Sequence, residues 1–174
     1  MAASWREGCP VPLSQLRLIT LSYWNYDNRV STGELVMHAD HTSQMETVFE
    51  ALYDARFPIQ RMELVDNFAA DDNLSMAANN TSGFNCREVD GSPGVWSNHA
   101  FGAAVDINPL VNPYVTTSRI LPPEGAIFAD RSVEVLGGIY PDGPVVAAFD
   151  AVGWGWGGRW RSGKDWQHFS ASGG

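Results

Sequence analysis

The sequence predicts an α+β domain in which an antiparallel sheet has helices packed on one side. Three observations predict it. Residues 16–26, rich in Leu, Ile, Thr, Tyr and Trp, and residues 34–38 read as strands joined through an Asp27-Asn28-Arg29 turn, which together make a hairpin. Met45, Val48, Phe49, Leu52 and Tyr53 follow the spacing of one apolar helical face. Ala103, Val105 and Ile107 alternate with Ala104 and Asp106, the period of a strand.

Taken along the chain, residues 8–17, with Pro10 and Pro12, are expected to lie extended over the surface. Ser31-Thr32-Gly33 leads into the second strand of the hairpin. Ser43-Gln44-Met45-Glu46 reads as a capping box, in which hydroxyl and carboxylate satisfy the free amides of a starting helix. That helix is expected to end near Phe57, ahead of Pro58. Residues 59–65 alternate as a strand. Residues 66–80 are polar, acidic and small, and read as a long loop, the kind that more often carries function than not.

The four prolines between 109 and 123 predict irregular chain. Asp130-Arg131-Ser132-Val133-Glu134 suggests a short helix, and residues 145–152 are apolar enough for a helix packed on the sheet. Residues 153–160 set tryptophan among glycines. The expected organisation is one domain over residues 1–174, with flexible ends at 1–8 and 170–174. A chain of 174 residues, 44% hydrophobic and 18% charged, is long enough to bury roughly 70% of its unfolded surface.

Eleven basic residues against twenty acidic ones give a net charge of -9, which repels phosphate backbones and anionic membrane surfaces. No nucleic-acid partner is expected, and no apolar run approaches the ~20 residues of a membrane span. The stretch from Met1 to Glu7 lacks the basic start and apolar core of a signal peptide, so export either proceeds without one or follows its removal. Cys9 and Cys86 are compatible with one disulfide in an oxidising compartment or two buried thiols in a reducing one.

His99 and Asp106 stand seven residues apart around Gly102. On one strand they would face opposite ways, and on a helix they would lie roughly 10 Å apart along the axis. Gly102, free to take positive φ, is therefore the expected hinge that lets them converge. Near the C-terminus, Asp165 and His168 have the i, i+3 spacing of neighbours on a helical turn. Two histidines and an aspartate with an open fourth position make a catalytic zinc set, and a further carboxylate beside it is the usual general base. His38 and His41 read as structural, the first at a strand end and the second just before the helix cap.

The pattern Ser-x-His-x-x-Gly-x-Ala-x-Asp, here Ser97 to Asp106, followed by Asp-x-x-His-Phe, here Asp165 to Phe169, resembles the M15 family of zinc peptidases. That family comprises D-alanyl-D-alanine carboxypeptidases, D,D-dipeptidases and L-alanyl-D-glutamate endopeptidases of phage lysins. The resemblance is dense at residues 79–114 and 154–169. It implies a Hedgehog/D,D-peptidase-like fold and one zinc ion held by His99, Asp106 and His168. Asp165 would be the base, although many relatives carry glutamate there. The segment from Thr81 to Arg87 resembles the one that supplies an arginine, so Arg87 would stabilise the oxyanion or hold a substrate carbonyl.

Ser97 either contacts substrate or shapes the turn before His99. Trp156, in a cluster with Trp154 and Trp160, either packs in the core or walls a groove, and Trp166 is expected behind the His168 turn. The implied function is hydrolysis of peptidoglycan stem peptides, of D-alanyl-D-alanine carboxypeptidase type, with L-alanyl-D-glutamate endopeptidase as competitor. A non-catalytic zinc-containing binding domain, as in Hedgehog, is the reading of another class. Calcium is disfavoured because histidine ligands select zinc. The expected state is a monomer, extracellular or associated with the cell wall, with the stem peptide as partner.

Overall fold

The computed structural model describes residues 1–173. Leu16–Trp24 (β1) and Val30–His38 (β2) form an antiparallel hairpin, with Leu16 opposite His38 and Trp24 opposite Val30. Its turn is built on Asn25, whose side-chain oxygen accepts from the backbone N–H groups of Asp27 and Arg29, both at 3.0 Å. The second strand begins at Val30 and takes in Gly33, which the sequence reading left in the lead-in. A Cβ at Gly33 would sit 2.5 Å from that of Met62, so the missing side chain admits the neighbouring chain.

Thr42–Asp54 (α1) buries Met45, Val48, Phe49 and Leu52, the predicted face, while Tyr53 stays half-buried. The predicted capping box does not form. His41 is the N-cap residue, and Ser43 lies within the first turn, its carbonyl accepting the Thr47 hydroxyl at 3.0 Å. A 3₁₀ turn at Ala39–His41 runs straight into the helix and takes over the role of the cap; Thr42 Oγ1 donates back to the Ala39 carbonyl at 3.1 Å. The helix ends ahead of Phe57 because Arg56 turns left-handed, at φ 52°, and the Phe57 N–H closes onto the Leu52 carbonyl at 2.9 Å.

Of the strand predicted over residues 59–65, only Arg61–Met62 (β3) forms. The predicted loop that follows is structured. It holds a 3₁₀ turn at Val65–Phe68 and the helix Asp72–Ala77 (α2), capped by Asp71, whose carboxylate accepts from the Leu74 N–H at 3.1 Å. Of its polar residues, which read as loop, Asp71 is a helix cap and Asp72 pairs with Arg87. Asn80–Thr81 (β4) then pairs with β3 in parallel.

Ala104–Asp106 (β5), Tyr114–Val115 (β6) and Ile120–Leu121 (β7) come next, with β6 and β7 inside the stretch expected to be irregular. Residues 130–134 do not form the predicted helix. The Asp130 carboxylate accepts from the Ser132 N–H at 2.9 Å and turns the chain, and Arg131 points inward to donate to the carbonyls of Val111 and Ile139 at 2.8 and 2.7 Å. Pro144–Ala151 (α3) forms where a helix was expected, and packs chiefly on α1 rather than on a sheet. Gly155–Trp156 (β8), Lys164–Asp165 (β9) and His168–Ser170 (β10) complete the strands of the described residues.

The fold is α+β, its strands divided among four small sheets of which β3–β4 is the parallel one. Two antiparallel sheets of three strands, ordered β5-β10-β8 and β7-β6-β9, frame the site. The main core joins the inner faces of the hairpin, α1 and α3 to Val105, Ile107, Trp154, Trp156 and Phe169. Phe169 stacks on Phe149 at 4.0 Å between ring centres, and each such buried ring contributes on the order of 2 kcal/mol through burial. Among the described residues no helix is long and apolar enough to cross a membrane.

The first residues dock on the body of the protein. Cys9 and Cys86 are joined by a disulfide. Arg6 donates to the Cys86 carbonyl at 2.6 Å, the Cys86 N–H to the Ser4 carbonyl at 3.0 Å, and Asp66 accepts from Ser4 Oγ at 2.5 Å and the Ala3 N–H at 2.8 Å. Burial pushes the Asp66 carboxyl up, but these hydrogen bonds outweigh it and hold the group below the usual carboxylate range.

Because the folded pKa of Asp66 is the lower one, its contribution is complete above the unfolded value of about 3.9 and is lost as pH falls through the folded value. The thermal midpoint should therefore fall less steeply in acid for Asp66→Asn than for the parent, and coincident profiles would refute this. The double variant Cys9→Ala, Cys86→Ala should lose roughly 2–5 kcal/mol of stability in denaturant titration. The oxidised parent should gain two hydrogens in mass on reduction.

Candidate active site

Ser97 starts the local structure that carries His99. It is the N-cap of a 3₁₀ turn at Asn98–Phe101, and its Oγ accepts from the His99 N–H at 3.3 Å, so it shapes the turn directly. The turn ends at Gly102 with φ 63°, the expected hinge. Only glycine fits there, since a Cβ would sit 2.5 Å from the His38 nitrogen, which donates to the Gly102 carbonyl at 3.0 Å. After the hinge, β5 alternates as predicted, with Val105 in the core and Asp106 in the site.

Asp165 and His168 do not share a helical turn, contrary to the spacing argument. They lie on two strands of different sheets, Asp165 on β9 opposite Tyr114 and His168 on β10 opposite Asp106. Extended pairing wins because each residue meets a partner strand already in place, while Trp166 and Gln167 carry the chain across between sheets. The Trp156 indole N–H bonds to the Trp166 carbonyl at 3.0 Å and fixes that crossing.

His99, Asp106 and His168 converge and are all buried; one ligand atom from each lies within 4.8 Å of the others, a group that could hold a metal ion. His99 Nε2 is 3.2 Å from His168 Nδ1 and 3.2 Å from Asp106 Oδ2, and His168 Nδ1 is 2.9 Å from Asp106 Oδ1. His99 Nδ1 lies 2.6 Å from the Gly83 carbonyl, which can only accept. The Nδ1 proton is therefore donated to Gly83, and the lone pair of neutral His99 sits on Nε2, facing the centre.

Burial opposes the charge of Asp106, but the two imidazoles beside it hold its carboxyl far below the usual range. Burial likewise lowers His99, and the Asp106 carboxylate more than reverses this, so the imidazole stands above its ordinary value. Asp165 behaves in the opposite way. Burial raises it to about 7, with His168 partly offsetting and Asp106 reinforcing the shift. Its Oδ1 is shut off from solvent with no hydrogen-bond partner.

A cleft of about 620 Å³ opens onto these residues, with Ser97, His99, Asp106, Asp165 and His168 in its lining together with Arg87. Arg87 is paired through Nη2 with Asp72 at 2.9 Å. Trp156 is elsewhere: it is 2% exposed and belongs to the core. Two tryptophans line the cleft, Trp96 and Trp160, the latter with its ring centre 5.5 Å from that of His168.

A sequence profile for the family described as D-alanyl-D-alanine carboxypeptidase matches residues 90–171, the stretch that holds His99, Asp106, Asp165 and His168. Over that stretch the chain is similar to the M15 peptidases. No curated protein and no solved structure matches it. Arg87 and its partner Asp72 lie ahead of the matched stretch, so part of the cleft lining comes from outside it.

Sequence reasoning missed Asp72, Asp90, Tyr114 and Arg119 among the cleft residues, while Trp160 belonged to the tryptophan cluster read as core or groove wall. Asp72 lay in a presumed loop, and Tyr114 and Arg119 in a presumed irregular stretch. Trp156 stands between Gly155 and Gly157 and Trp160 between Arg159 and Arg161, and it is the pairing of Gly155–Trp156 with β10 that places Trp156 in the core.

Gly102→Ala combines a left-handed φ with a Cβ clash against backbone, and should lower stability by roughly 1–3 kcal/mol in denaturant titration. An unchanged midpoint would show that the hinge tolerates a side chain.

Proposed function

We propose that this chain is a zinc enzyme that hydrolyses peptidoglycan stem peptides, of D-alanyl-D-alanine carboxypeptidase type. The observation that carries the reading is the convergence of two imidazoles and a carboxylate on the cleft that also presents Asp165. The donor set fits zinc. Two nitrogens and a carboxylate oxygen are its usual ligands, the Gly83 carbonyl fixes the His99 tautomer that leaves Nε2 free, and three ligands leave a position open. The three ligand atoms lie within 4.8 Å of one another and away from solvent, close enough to share one cation.

His99, Asp106 and His168 would hold the zinc. When bound, it supplies Lewis acidity, drawing the pKa of water from about 15.7 toward 7 and polarising a carbonyl. Asp165 accepts the proton of the attacking water and delivers it to the leaving amine nitrogen, so that the C–N bond breaks to an amine and a carboxylate. A group whose carboxyl stands near 7 can both take and return a proton at neutral pH. Arg87, steadied by Asp72, donates to a substrate oxygen at the cleft wall. Trp160 covers His168 on the cleft side.

Stem peptides suit this site because they present carboxylates to an arginine in a chain otherwise strongly acidic. The Cys9–Cys86 disulfide supports action outside a reducing cytosol, at the cell wall.

Purified protein loaded with zinc should release D-alanine from a pentapeptide stem, and a chelator should abolish the release. New amino termini inside the stem would instead assign the endopeptidase, and no product of either kind would overturn the reading. His168→Ala should lower bound zinc, measured by elemental analysis, well below the parent's ratio; unchanged binding removes it from the ligand set. Asp165→Asn should keep its zinc and lose about 10²-fold or more in kcat.

A further inference from the structure

We propose that Arg119 is a specificity-determining residue that binds a second substrate carboxylate, one away from the scissile bond, in exchange for Asp90. The inference rests on the peptidase reading above and adds a recognition point to it. Arg119 sits in the turn between β6 and β7. Thr116 braces that turn: its Oγ1 accepts from the N–H groups of Ser118 and Arg119 at 3.2 and 3.0 Å, and its own N–H bonds to the Arg119 carbonyl at 2.9 Å. β6 is hydrogen-bonded to β9 with Tyr114 opposite Asp165, so Arg119 is carried by the same three-stranded sheet as the proposed base. Its guanidinium leans toward the Tyr114 ring at 5.9 Å and lines the cleft.

Across the cleft, the segment after Arg87 folds back on itself through a bridge between Glu88 and Trp96, and the Val89 N–H bonds to the Val95 carbonyl at 2.7 Å. This segment presents Asp90, and Arg119 Nη1 donates to Asp90 Oδ2. The guanidinium is thus already occupied by a carboxylate, supplied by the opposite wall. The pair is open to water, with side-chain exposures of 41% for Arg119 and 64% for Asp90. An exposed ion pair contributes little to stability, so an incoming carboxylate displaces Asp90 at small cost. Arg87 differs, since its pair with Asp72 is more enclosed, at 27% and 23% exposure. Histidines aside, these two arginines are the cationic side chains in the lining. In a chain of net charge -9, a peptide with two carboxylates needs both.

The test uses the zinc-loaded protein and a series of stem peptides in which each free carboxylate is converted singly to the carboxamide. For the parent, one conversion should raise KM about tenfold or more and leave kcat within about twofold. Arg119→Gln should show the same loss on the unmodified peptide and no further loss on that carboxamide, while Arg119→Lys keeps part of the discrimination. Asp90→Asn should lower KM for the unmodified peptide. If Arg119→Gln weakens every peptide equally, or Asp90→Asn leaves KM unchanged, the exchange is overturned. If the parent cleaves none of the peptides, the peptidase reading has failed separately. Equilibrium binding of the same series by calorimetry then decides the role of Arg119 by the same pattern in Kd.

Discussion

The antiparallel register of β10 on β5 is the constraint on which the site depends. It sets His168 opposite Asp106, two residues 62 positions apart in the chain, and side chains directly opposite on one face stand within about 5.5 Å. A slip of one residue would put Phe169 in the site and His168 in the core. Phe169 prevents that slip, because it is held between Phe149 and Trp156 by ring packing that no polar side chain could replace. The polar site is thus positioned by the apolar face of its own strand.

Two aspartates on strands of different sheets end up with opposite electrostatic characters. Asp106 has an imidazole against each oxygen and stays ionised despite its burial, while Asp165 has one oxygen enclosed without a partner and is driven up. This separation supports the proposed roles, in which one group holds charge and the other exchanges a proton. The backbone sets the division: Asp106 pairs across to β10 and to Ser82, and Asp165 belongs to the adjoining sheet.

The wall opposite these strands comes from the first half of the chain. α2 supplies Asp72 to Arg87, and the disulfide ties the N-terminal segment to Cys86, one residue before that arginine. Sequence reading placed Arg87 in the site but took α2 for a loop, because aspartate and small residues look alike whether they cap a helix or fill a turn. The same ambiguity explains the capping box that does not form at Ser43 and the helix absent from residues 130–134. In each case the pattern lost to a competing arrangement: the 3₁₀ turn at Ala39–His41 that runs into the helix, and the inward donors of Arg131.

Sequence alone determined the residue types of the His99, Asp106 and His168 group, the hinge at Gly102, the hairpin, the apolar face of α1 and the apolar character of α3. These follow from local rules, since a positive φ, a strand period and a helical period are written in neighbouring residues. Which of Trp156 and Trp160 faces the cleft, that Asp165 and His168 ride on strands of different sheets, and that Arg119 meets Asp90 across the opening were decided by the tertiary structure. Those facts depend on which strand lies beside which. Strand pairing is a contact between distant segments, and no window of neighbouring residues contains it.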